Sequence, residues 1–215
     1  MEIYVSIDGV LRNLIQKFDY HYRDAYQDSE LEDNTFDYSI TEPIQNDNLL
    51  NSYKFQSTEE FEFFTFIEYP IEIFGHAGLS YGTAVSDLNK LMFDNKELNF
   101  TIIGMDELGK SKPATLFFLS KNGFLGSNIK FINSSDIEKH WGNCDVWITD
   151  NKKVIDLCPE NKISYKFNTI YNQYFTNKKE ITKLTEIQEP WLKSLENPTT
   201  LTLTELPTSV EPEEQ

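Results

Sequence analysis

Cysteine is scarce in this chain: its 215 residues include only Cys144 and Cys158. Their spacing fits neither C-x-x-C nor a zinc-ligand set, which excludes a disulfide scaffold and predicts two reduced thiols in a packed interior. His21, His76 and His140 are scattered, and a histidine metal centre is not expected. Positive charge is short as well. Nineteen Lys and Arg stand against 35 Asp and Glu, for a net charge of −16 and a pI near 4.5. Nucleic-acid backbones and anionic membrane surfaces recruit a surplus of Lys and Arg, so neither is an expected partner. No apolar run reaches the roughly 18 residues needed to span a bilayer. A core strand stands at the N-terminus, so no cleavable signal is expected ahead of it, and with the reduced thiols this points to the cytosol.

What is present suits a folded domain. The chain is 39% hydrophobic and 14% aromatic, enough for one ordinary core with a small inserted subdomain. No internal repeat is found. Short apolar runs bounded by turn or polar residues predict strands at 3–7, 99–104, 128–132, 144–149 and 162–167. Helices are predicted between the later ones. Residues 113–122 carry Pro113 in the first turn and stop at Gly123. Residues 136–141 follow Ser135-Asp136-Ile137-Glu138, read as a capping box. This alternation predicts an α/β fold, a three-layer, Rossmann-like parallel sheet with right-handed crossovers.

The interval 14–98 is too long for one crossover. It holds an acidic stretch at 24–48, in which Asp24, Asp28, Glu30, Glu32 and Asp33 read as a solvated face. The aromatic run Phe61, Phe63, Phe64, Phe66 and Ile67 follows, read as local core rather than a base-stacking platform. A helix at 86–93 turns Leu88, Leu91 and Met92 to one side. Residues 14–85 are therefore expected to form an insertion, with the core built from 1–13 and 86–175. A charged helix is predicted over 178–195, ending near Trp191. Residues 197–215 read as an acidic Thr/Pro-rich tail. Within it, the alternation over 199–206 predicts a strand that forms by adding to a partner's sheet edge, with a flexible solubilising tail as the alternative.

The first strand runs into its turn as Ile3-Tyr4-Val5-Ser6-Ile7-Asp8-Gly9-Val10. Taken alone, Asp8-Gly9 is an ordinary turn after a strand. Farther on, Val146-Trp147-Ile148-Thr149-Asp150-Asn151 is a second buried strand that ends in an acid. Together the two resemble motifs of the haloacid-dehalogenase-like (HAD-like) phosphohydrolases, whose first motif reads D-x-D-G-[TV] after a hydrophobic strand. The resemblance covers residues 1–175 and looks closest to small proteins of this kind encoded by bacterial viruses, related in layout to 5′-nucleotidases. It implies an inserted cap at 14–85, lying over the C-terminal ends of the strands.

The resemblance also assigns roles. It implies a nucleophilic Asp that forms an aspartyl-phosphate, and the position is occupied by Ser6. Asp8 stands where the general acid/base belongs. A phosphate-holding Ser or Thr is implied after the second strand, where Gly104 stands. Lys139 takes the place of the phosphate-gripping Lys, with Lys130 as the alternative, and the bland reading of Lys139 is a surface lysine. Mg²⁺ would be held by Asp8 and Asp150, weakly, because Ser6 and Thr149 replace two acids and hard Mg²⁺ depends on carboxylates. The expectation is thus a degenerate phosphatase site in a non-catalytic interaction or structural protein, a pseudoenzyme of a bacteriophage particle or host-cell cytoplasm, with other virion proteins as partners. The alternatives are a Mg²⁺-dependent phosphatase or 5′-nucleotidase with residual activity, and a binding module that still recognises a nucleotide or phosphate without turning it over.

Overall fold

The computed structural model describes residues 1–27, 36–45 and 48–187. The chain begins with β1 (Glu2–Ser6), β2 (Arg12–Asn13) and α1 (Leu14–Tyr26). After α2 (Leu49–Ser52) and α3 (Thr58–Phe63) come two wide π-helical turns, Phe64–Glu68 and Ile71–Gly75. The remainder is β3 (Gly78–Leu79), α4 (Ala84–Asp94), β4 (Asn99–Met105), α5 (Lys112–Lys121), β5 (Ile129–Ile132), α6 (Ile137–Trp141), β6 (Val146–Thr149), α7 (Lys152–Asp156), β7 (Ile163–Phe167) and β8 (Glu180–Ile181).

Six of these strands form one parallel sheet in the order β5-β4-β1-β6-β7-β8. Numbered among themselves, they run 3-2-1-4-5-6, the order of a doubly wound α/β sheet. Its direction of winding reverses between β1 and β6, and ligands of such folds bind outside the strand ends at that point.

Strand periodicity sorts the core into two layers. Ile3, Val5, Ile102, Val146 and Ile148 face one way and pack with Ala84, Val85 and Leu88 of α4 and with Phe118 and Leu119 of α5. Tyr4, Ile103 and Trp147 face the other way, against Ile137 and Trp141 of α6 and Val154 of α7. A sheet covered on both faces needs strands that are apolar throughout, as β1 and β6 nearly are. Apart from Glu2 at the start of β1, the polar residues these strands carry, Ser6 and Thr149, sit at their C-terminal ends and are buried.

The segment between β2 and β3 leaves and rejoins the sheet through a narrow stem, because those two strands pair antiparallel, Arg12 with Leu79 and Asn13 with Gly78. It has its own aromatic core of Phe18, Tyr22, Tyr53 and Phe64, joined by Ile73, Phe74 and, from α5, Ala114. The stem closes at Leu79. Ala84 and Val85, read from the sequence as the end of the insertion, pack in the core of the sheet.

Two local expectations give way to other structures. Ser134–Asp136 is a 3₁₀ turn, and no side chain caps α6, so the Ser135 capping box does not form. The helix expected from residue 178 is absent over the described part, where β8 and a 3₁₀ turn at Leu184–Glu186 stand instead. Ile181, Leu184 and Ile187 recur every three residues, but they are buried against the sheet core as strand and turn. Sheet pairing and burial thus override local helical spacing. Residues 188–215, including Trp191 and the tail strand expected at 199–206, lie outside the described residues, as do Asp28, Glu30, Glu32 and Asp33.

Candidate functional site

The turn after β1 sets the geometry. Ile7 still donates to the Ile103 carbonyl at 2.8 Å, then its own carbonyl accepts from both Leu11 and Arg12, each at 2.9 Å. The loop closes with Gly9 N–H donating to the Arg12 carbonyl. Gly9 holds a φ of +74°, and a Cβ built on it would lie 1.8 Å from Asp150 Oδ2. Only glycine serves at this position, since the Asp150 carboxylate occupies the space above its Cα.

This loop faces Asp8 with Arg12. The Arg12 Nε donates to Asp8 Oδ1 at 2.7 Å, and Nη2 lies at the same distance from the same oxygen. The third nitrogen, Nη1, donates to the Phe74 carbonyl at 2.9 Å and to Thr115 Oγ1 at 3.0 Å. The guanidinium carbon lies 5.2 Å from the Phe74 ring centroid and 5.4 Å from that of Phe118. Arg12 is only 1% exposed. It therefore ties the acidic turn to the insertion through Phe74 and to α5 through Thr115. A buried guanidinium is tolerated only when its donors are met in this way.

One layer below, the side chains of Ser6 and Thr149 meet each other. The Ser6 hydroxyl donates to Thr149 Oγ1 at 2.9 Å and accepts from the Trp147 indole N–H at 3.1 Å. Thr149 Oγ1 also accepts from the Asn151 amide. Ser6 is 6% exposed and Thr149 is fully buried.

Above them lies a cleft of about 680 Å³, walled by Asp8, Gly9, Arg12 and Asp150 at the strand ends and by the segment that follows β7. That segment is pinned by the buried Asn172. Its Nδ2 donates to the carbonyls of Phe167 and Asp150, and its Oδ1 accepts from the Thr169 amide. Lys166, 3% exposed, also borders the cleft. Its ammonium donates to the Phe175 carbonyl, lies 4.7 Å from the Phe175 ring centroid and is 3.5 Å from Glu180 Oε1. Glu180 accepts from the Asn177 amide and from Asn168, which hold it below the usual carboxylate range.

The sequence-derived site residues fall in three places. Asp8 and Asp150 border the cleft. Ser6 and Thr149 lie beneath it and are not part of its wall. Gly104 and Lys139 are elsewhere. Gly104 sits inside the sheet opposite Phe131, whose ring would be 3.0 Å from an added Cβ. The strand runs on to Met105, and the loop position beyond it is filled by Asp106, which caps the turn before α5 by accepting from the Lys110 and Ser111 amides. Lys139 is exposed on α6. Its alternative, Lys130, donates to the Tyr4 hydroxyl at 3.1 Å and also does not border the cleft. Arg12, Lys166 and Asn172 escaped the sequence reading. Each had a faint signal, a charged or amide residue inside or just after an apolar strand-like run.

The donor set fits Mg²⁺ poorly. Two carboxylates face the cleft from the strand ends, and Asp8 already shares an oxygen with a guanidinium. Ser6 spends its hydroxyl proton on Thr149, whose oxygen accepts from both Ser6 and the Asn151 amide. Among the described residues no group of three or more His, Cys, Asp or Glu is placed to hold a metal ion, and no helix is long and apolar enough to cross a membrane. No protein-family model matches the chain, and no curated protein matches it significantly. Fold and site thus define an α/β protein with a Rossmann-like parallel sheet and a ligand-sized cleft at its switch point.

Proposed function

We propose that this chain is a non-catalytic HAD-like protein, an interaction or structural component built on a phosphohydrolase framework whose site has eroded. One observation carries the reading: the residue at the nucleophile position, Ser6, lies beneath the cleft with its hydroxyl held between Trp147 and Thr149. A hydroxyl becomes a nucleophile when a base takes its proton. Here the proton is directed at another hydroxyl, and Asp8, the nearest acid in sequence, is engaged by Arg12. The retained Asp8-Gly9 turn and the strand ending in Asp150 support descent from a phosphatase framework. The likeness to virus-encoded proteins extends the proposal to a particle component or an assembly in the host cytoplasm.

The test is recovery from the native source. The tagged chain should co-purify at fixed stoichiometry with a particle or defined complex and stay with it through gradient sedimentation. Recovery only as a free monomer, together with phosphate-releasing activity, would overturn the proposal.

A further inference from the structure

We infer that two copies of this chain pair about a twofold axis through one surface, made of the outer ridge of the insertion and the outer face of α5. None of its residues borders the cleft, so the inference stands apart from the non-catalytic reading above. Phe63, Ile67 and Ile71 recur every four residues, close to one helical turn, and all three are exposed, Phe63 by 56%. Their neighbours Phe64, Ile73 and Phe74 are buried in the insertion's own core. α5 has the same surplus. Phe118 and Leu119 cover the sheet and Ala114 meets the insertion, while Leu116 and Phe117 face outward, Phe117 43% exposed. A helix that is apolar all round is ordinarily covered on every side.

The two stretches are continuous. The Ile71 carbonyl accepts from the His76 amide at 2.8 Å, the His76 ring lies 5.3 Å from the Phe117 ring, and a Cβ built on Gly75 would come within 3.0 Å of Phe117. A contiguous exposed apolar patch marks a docking surface, and the charges around this one say what docks. Residues 55–89 hold five Glu and one Asp and no Lys or Arg, and Glu62, Glu68 and Glu72 stand beside Phe63, Ile67 and Ile71. Residues 108–135 are the reverse, with four Lys and no Asp or Glu, and Lys112 and Lys121 are exposed at either end of α5. Among the described residues none of these three glutamates and two lysines forms an ion pair. One half of the surface is thus apolar with acidic flanks, and the other is apolar with basic flanks. A twofold axis near Phe117 lays each half on its opposite in the second copy, and both contacts are then complementary, as an isologous interface requires. A second copy fits better than the chain's own residues 188–215, whose six acids and single Lys would suit only the α5 half.

Sedimentation velocity of the purified chain at neutral pH and about 0.15 M salt tests this. The sedimenting mass should rise from one chain to two between about 1 and 200 μM and stop there. Two charge-reversed variants, Glu62→Lys with Glu68→Lys and Lys112→Glu with Lys121→Glu, should each pair at least about tenfold more weakly than the parent. The first brings the net charge nearer zero, so overall repulsion cannot account for its loss. Mixed in equal amounts, the two variants should recover the dimer, because each carries the charges that the other's halves now need. Ile67→Ser, at an exposed position, should weaken pairing about fivefold and leave the thermal midpoint within about 3 °C of the parent. A parent chain that stays monomeric over this range, growth beyond two copies, or a mixture of the charge variants that stays monomeric would overturn the pairing. So would dimers indifferent to all three variants.

Discussion

Ser6 and Thr149 stand at the ends of neighbouring parallel strands, and the hydroxyl of one donates to the hydroxyl of the other at 2.9 Å, under a roof formed by the Asp8-Gly9 turn and Asp150. Two neutral groups thus meet at the ends of these strands, Ser6 as donor and Thr149 as acceptor, and Thr149 accepts from the Asn151 amide as well. The Trp147 indole adds its N–H to the Ser6 oxygen. The arrangement is self-contained, which is what a buried polar cluster requires in order to be tolerated.

Ser6→Asp should therefore be costly. The carboxylate would displace the Trp147–Ser6–Thr149 bonds in a site only 6% exposed. We expect a loss of about 2–4 kcal/mol at neutral pH by urea denaturation. The burial would raise the new carboxyl's pKa, so the loss should shrink as pH falls through that value and the group becomes neutral. A variant as stable as the parent at pH 7 would contradict the packing described.

Adding Thr149→Asp to that variant should create Mg²⁺ affinity. The double variant is expected to gain several degrees in thermal midpoint with millimolar Mg²⁺, while the parent chain is unaffected, because ligand binding to the native state stabilises it by mass action. Phosphatase activity need not return, since Gly104 lies inside the sheet and Lys139, exposed on α6, is not part of the cleft wall. An equal Mg²⁺ shift in parent and variant would refute the account of the donor set.

Arg12 should behave as a clamp between the sheet, the insertion and α5. Arg12→Met leaves Asp8, the Phe74 carbonyl and Thr115 without their shared donor, and a loss of about 3–5 kcal/mol is expected, as for other broken buried ion pairs. Arg12→Lys should recover only part of it, because an ammonium cannot reproduce the fork. Urea denaturation of the three proteins checks the order.

Much of this was legible in the sequence, and what was not has a physical cause. The five longer strands announce themselves because buried parallel strands are rich in apolar residues, as in the three-residue runs Ile3-Tyr4-Val5 and Val146-Trp147-Ile148. β8 did not, since two residues carry no period, and Ile181, Leu184 and Ile187 mimic helical spacing. Asp8 and Asp150 were found because each ends such a run. Gly104 was misplaced because the strand extends to Met105 and the loop role passes to Asp106. Arg12 was overlooked because a charge four residues after Asp8 reads as a surface residue until the turn folds it inward.

Alkaline pH gives an independent check on the interior. Burial pushes the hydroxyls of Tyr22, Tyr26, Tyr53 and Tyr81 well above the ordinary tyrosine range and the Cys144 thiol up to about 12. In the unfolded chain these groups lose protons at lower pH than in the fold, so above about pH 9–10 the unfolded state binds fewer protons and stability falls as pH rises. The urea midpoint should decline steadily from pH 9 to 11. Cys144 should react with a thiol reagent at pH 8 only after unfolding. Rapid labelling of Cys144 in the native protein would mean that the layer of Tyr4, Trp141 and Trp147 is open.

The most direct test is phosphate release. The purified chain, incubated with Mg²⁺ and either p-nitrophenyl phosphate or a panel of nucleoside monophosphates, should liberate no more phosphate than a heat-denatured control, and Asp8→Asn should leave that baseline unchanged. Clear turnover by the parent chain that Asp8→Asn abolishes would contradict the account, because it would show that the turn facing Arg12 still performs acid–base chemistry.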